Sequence, residues 1–150
     1  MRISVQKLSV ARGLDAERIF FLDDIFLLLD GEFGIELSGR TIAFEDKPLL
    51  NLYLLKKYVM SILFLENSDV GDLTLASFLS EDRVEIKSSN LEKISGEIIS
   101  NDDHARFTIK TVAVSKDIGK HMRKIRALLV NEYPALEDSW QMAVVFEGVI

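Results

Sequence analysis

Apolar residues recur along the chain with two different periods, and the changes between them mark out the elements. Over residues 2–10, Ile3, Val5, Leu8 and Val10 alternate loosely with polar positions, which predicts an opening strand. The next run, RIFFLDDIFLLLD, is rich in Ile and Phe and ends at Asp30-Gly31. Asp-Gly is a strong hairpin signal, because both residues tolerate the positive φ of a tight turn. On its far side Phe33, Ile35 and Leu37 alternate with Gly34 and Glu36. Ser38-Gly39-Arg40 then reads as a second turn and TIAF as a third strand. Together these predict a β-meander over roughly 20–44, with a helix over 16–29 as the competing reading.

The period then changes. Pro48 sits where a helix accepts proline, in its first turn, and Glu45 and Asp46 place negative charge at the positive end of the dipole. A helix is predicted over about 47–65. Its few polar residues, Asn51, Lys56, Lys57 and Ser61, are scattered around the wheel, so it is apolar on nearly every side and should be buried. NSDVGD, residues 67–72, has the composition of a loop. LTLASFL, RVEIKSS, KISGEIIS and HARFTIKTVAVS carry the β-branched content or alternation of antiparallel strands, separated by the short polar stretches SED, SNLE and NDD. An amphipathic helix follows over about 116–132, with Ile118, Met122, Ile125 and Leu129 as its apolar stripe. Pro134 ends it, and EDSWQMAVVF reads as a closing helix, with a strand as the alternative. The expected fold class is α+β: one domain over 1–150, an antiparallel meander packed against a buried helix and a C-terminal amphipathic helix.

Composition narrows the chemistry. The 150 residues suffice for one substantial core. The chain has no cysteine, which removes disulfides, thiol nucleophiles and thiolate metal sites. No stretch has the length and continuity of a signal-peptide core or a membrane span; the most apolar window is broken by Lys56 and Lys57. A cytoplasmic protein without membrane contact is expected. The net charge of −6 argues against nucleic acid as a partner.

The charge is unevenly spread. Seven acidic residues lie between Asp15 and Glu36 against the single Arg18, whereas five basic residues lie between Lys116 and Arg126 against Asp117. Asp23 and Asp24 invite a catalytic or metal-binding reading, but successive side chains of an extended strand point to opposite faces and would not converge. His104 and His121 lie in no metal-binding spacing, and NDDH around His104 has the chemistry of a turn. Neither a GxSxG elbow nor a phosphate-cradling glycine loop occurs. No catalytic residue, metal site or cofactor is therefore expected. Lys116, Lys120, Arg123 and Lys124 recur at i, i+4, i+7 and i+8, a single helix face that is either solvated or able to grip an anion. Trp140, Tyr133 and Phe146 close a core or form a binding surface.

In size, acidity and meander-plus-helix layout, the full chain resembles the small immunity proteins of bacterial toxin systems. The resemblance implies a non-enzymatic cytoplasmic protein that neutralises a cognate toxin by covering its active site. No motif carries it, so it transfers no site residue. Nuclease toxins present basic clefts, and a carboxylate-rich surface would steer toward them. Asp23, Asp24, Asp30, Glu32 and Glu36 are then the expected partner-binding residues. An oligomeric scaffold subunit and a small-molecule-binding domain are the alternatives.

Overall fold

The computed structural model describes residues 1–14, 19, 21–37, 39–44, 47–64, 72–76, 81–100 and 103–148, with the backbone alone at 40, 42–44, 88 and 103. The opening alternation forms strand β1 (Arg2–Val10). It pairs antiparallel with β2 (Leu29–Leu37), which pairs in turn with β3 (Arg40–Phe44). The tight turn between β2 and β3 places Gly39 at φ 80°, a conformation that glycine adopts without a Cβ penalty.

Two expectations for this region are corrected. The segment ahead of β2 supplies no strand; it forms a short helix, α1 (Leu22–Leu27). Asp23 and Asp24 stand in its first turn, where carboxylates favour the exposed N–H groups of a helix start. The Asp24 carboxylate accepts the Phe21 backbone N–H at 2.8 Å, so the acidic pair is helix-start chemistry. Nor is Asp30-Gly31 a hairpin, since both residues lie inside β2. Gly31 is required there for space: a Cβ would stand 3.0 Å from the Gln6 carbonyl oxygen and 3.3 Å from Pro48 Cγ. The sheet is thus built from β1, β2 and β3, and β1 replaces the run around residues 20–29 as the neighbour of β2.

The buried helix forms as expected, as α2 (Pro48–Phe64). The negative charge expected at its start, on Glu45 and Asp46, lies outside the described residues, as does most of the 67–72 loop. A second sheet runs in sequence order through β4 (Leu73–Ala76), β5 (Arg83–Ser89), β6 (Lys93–Ser100) and β7 (Asp103–Lys110), antiparallel throughout. Asn90 fixes the β5–β6 turn by accepting the backbone N–H groups of Glu92 and Lys93, both at 2.9 Å.

Helix α3 spans Thr111–Glu132, five residues more at its start than the sequence predicts. The valines of TVAVS predict a strand, yet Thr111 and Val114 continue the buried stripe of Ile118, Met122, Ile125 and Leu129 at helical spacing. Packing of that stripe outweighs the modest helix penalty of β-branched residues. Pro134 opens a single 3-10 turn, and α4 (Trp140–Val145) follows, its first turn capped by the Ser139 hydroxyl.

One core joins the elements. α2 packs on α3 and touches β2 of the first sheet and β4 of the second, while α3 packs on β1 and on β6 and β7. Phe33 and Ile35 of one sheet and Val84, Ile86 and Ile98 of the other belong to the same buried cluster. The architecture is α+β: two antiparallel sheets bridged by two long helices.

Candidate functional site

The five acidic candidates separate into two groups. Asp30, Glu32 and Glu36 alternate with Leu29, Phe33 and Ile35, so they share the face of β2 turned away from the core. That face is not uniformly acidic. An extra residue in β1 shifts the register between Gln6 and Ser9, and Lys7, at φ 52°, reaches from this bulge to Glu32 at 2.7 Å. Arg2 lies opposite Glu36 in the ladder. Asp30 is exposed, and Glu32 is largely covered. On α1, Asp24 is half-buried and engaged at the helix start, while Asp23 is exposed.

Asp23 has apolar company. Phe21 is 72% exposed and Leu27, one turn beyond Asp23, is 58% exposed. α1 packs against α4, and the Gln141 side chain of α4 donates to the Ile19 carbonyl at 3.0 Å. α4 in turn exposes Trp140, 58% accessible, two residues after the exposed Glu137 and Asp138. Of the three late aromatic residues, Tyr133 and Phe146 are core and only Trp140 faces solvent.

Lys116, Lys120, Arg123 and Lys124 all lie on the exposed face of α3, opposite its buried stripe. The two ionisable residues toward the sheet act structurally. Asp117 accepts the Ile3 backbone N–H at 2.6 Å, and His121 Nε2 lies 2.9 Å from the Ile3 carbonyl oxygen, so it donates there. His104 is exposed on β7. Among the described residues no three His, Asp or Glu side chains converge on a point, and no helix is long and apolar enough to cross a membrane.

The concave part of the surface lies elsewhere, between α2, α3 and the turn after α4. A half-open chamber of about 160 Å³ is lined by apolar Val59, Met60, Leu63, Phe64 and Ile118 together with Lys56, Ser115 and Glu147. A wider one of about 310 Å³ adjoins it and extends along Tyr53, Lys57, Ser61 and Val144. Both share Lys56, Met60, Phe64 and Glu147. Lys56 is buried, yet its ammonium donates to the backbone carbonyls of Val145 and, at 2.9 Å, of Glu147. Those are carbonyls at the C-terminal end of α4 and just beyond, where a cation complements the dipole. Burial pulls the Lys56 ammonium from 10.5 down to about 8; the Glu147 carboxylate opposes the shift and Lys57 adds to it. The Tyr53 ring carries both cations, with Lys56 Nζ 5.6 Å and Lys57 Nζ 5.4 Å from its centroid.

Nothing in the sequence marks this groove. Lys56 and Lys57 stood out there only as interruptions of an apolar run. Helical spacing does separate them by about 100°, but which of the two turns inward depends on where α3 and the C-terminal turn pack.

Compared with protein-family models, with curated proteins and with solved structures, the chain matches none.

Proposed function

We propose that this protein acts by binding another protein through the surface of α1 and α4, as a cytoplasmic inhibitor of the immunity type. The observation that carries the reading is the exposure of Phe21, Leu27 and Trp140 on two helices packed against each other, beside the exposed carboxylates of Asp23, Glu137 and Asp138. Exposed aromatic side chains are the usual anchors of interfaces, and leaving them in water has a cost that a partner removes. A carboxylate rim favours a basic partner, such as the nucleic-acid cleft of a toxin. Within this reading Asp23 and Asp30 remain partner-facing candidates, Asp24 serves its own helix, and Glu32 is held by Lys7.

The test uses the product of the adjacent gene as the partner. Trp140→Ala is expected to weaken binding by about 2 kcal/mol, or roughly thirtyfold. Asp23→Lys is expected to slow association, with an effect that fades at high salt. If both variants neutralise and bind the partner as the parent does, the surface is not the interface. The exposed apolar residues would equally serve self-association, and sedimentation velocity separates the two: a monomer that forms a one-to-one complex supports inhibition.

A further inference from the structure

We propose that the groove between α2, α3 and the turn after α4 binds a small amphipathic carboxylate, its apolar body lodged among Met60, Leu63, Phe64 and Ile118 and its head group held at Lys57 and Lys56. This site touches α4 at Val144 but contains none of Phe21, Asp23, Leu27 or Trp140, and it does not depend on a protein partner.

Shape comes first. The half-open chamber of about 160 Å³ is lined by apolar Val59, Met60, Leu63, Phe64 and Ile118, and Lys56, Ser115 and Glu147 bring polar groups to it. A space of about 150 Å³ is enough to hold a benzene ring. Phe64, the last residue of α2, lines both chambers while remaining 72% exposed, so an aromatic side chain stands uncovered at the mouth. A ring or short alkyl chain entering there exchanges water-exposed apolar surface for contact on both sides.

Charge decides the other end. Two ammonium groups face one carboxylate: Lys56 lines both chambers and Lys57 the wider one, while Glu147 lines both. Two of the three Lys56 N–H donors go to the Val145 and Glu147 carbonyls, and no described residue accepts the third, which stands near the Tyr53 ring. Lys57 is exposed and can swing toward a ligand. Ser61 adds a hydroxyl to the same rim, although it already donates to the Lys57 carbonyl at 2.9 Å. A neutral apolar ligand would fill the chamber but leave these donors unanswered; a cation would be repelled by them. An anion attached to an apolar body satisfies both ends.

Titration of the ¹⁵N-labelled chain with 4-phenylbutyrate tests the assignment, with 4-phenyl-1-butanol as the uncharged counterpart. The phenyl group suits the smaller chamber, and three methylenes carry the carboxylate into the wider one. Saturable shifts are expected at the amides of Met60, Phe64, Gly119 and Glu147, with the alcohol binding at least about tenfold more weakly. Lys57→Gln, a surface change, should lower the affinity for the carboxylate about tenfold and leave the alcohol unaffected. Ser115→Phe, which fills the chamber wall without removing a cation, should abolish the saturable shifts. Equal binding of acid and alcohol overturns the head-group assignment. Shifts that fail to saturate, or an unchanged affinity in a folded Ser115→Phe protein, overturn the site.

Discussion

Lys56 joins Asn51, Thr111 and Gln141 as a polar side chain buried among the described residues, and it alone of the four carries a charge. Its ammonium is kept in the interior by two carbonyl acceptors and the Tyr53 ring, yet the lowered pKa shows that desolvation outweighs them. In the unfolded chain this amine titrates near 10.5, and in the folded chain at about 8. Between those values the unfolded chain holds a proton that the folded chain has lost, so Lys56 makes stability rise with pH across that window. Below about pH 8 both states are protonated and the full cost is present. Lys56→Met removes the titration. Relative to that variant, the parent is expected to gain stability from pH 8 to pH 10 in urea denaturation; parallel curves would show that the amine is not desolvated. At pH 7 the substitution should change stability by no more than about 1 kcal/mol, since a well-packed apolar replacement recovers what the lost hydrogen bonds gave.

At the scale of elements, the edge of β1 is the instructive case. An edge strand presents unpaired N–H and C=O groups that invite another chain. Ile3 sits opposite Ile35, and its backbone groups point away from β2 to Asp117 and His121, one turn apart on α3. The helix thus closes the edge with side chains, and the i, i+4 spacing of those residues is what allows both bonds to the N–H and C=O of one residue. Asp117→Ala leaves a half-buried N–H without its acceptor and should cost about 1–3 kcal/mol. Amide exchange at Ile3 should accelerate well beyond that of Ile35 in the same variant. Unchanged protection at Ile3 would mean that α3 covers the edge by packing alone. His121→Ala should act on the same unit, so the double variant should cost less than the sum of the two.

On the scale of the whole molecule, α2 and α3 make one cooperative unit of two sheets that do not pair with each other. Leu52 is fully buried in α2, within the cluster that both sheets share. Leu52→Ala is expected to cost about 2–5 kcal/mol. Because the helix serves both sheets, protection should fall together at Ile35 in the first and Ile86 in the second. Loss confined to one sheet would divide the molecule into separately unfolding parts. The Tyr133 hydroxyl, bonded to the Ala11 carbonyl, and Lys56, bonded near the C-terminal end of α4, tie late segments to early ones and work toward the same cooperativity.

Local periodicity alone sets the long elements: α2 from an apolar run opened by Pro48 and interrupted at few positions, the strands β4 to β7 from alternation between short polar turns, and the α3 stripe that stops before Pro134. In each, many residues repeat one period, and local periodicity is the physical signal that survives without a partner. Tertiary structure decided the rest. Residues 22–27 are too few to distinguish helix from strand by period, and packing against α4 and β2 selects the helix. Asp30-Gly31 has turn chemistry, but β1 and Pro48 close on Gly31 and hold it extended within β2. Thr111 to Ser115 became helix because α3 buries Thr111 and Val114. The groove depends wholly on assembly, since adjacent lysines are equivalent until α3 and the last turn bury one and leave the other in water. A charge is placed by what packs around it, and that information lies in contacts distant along the chain.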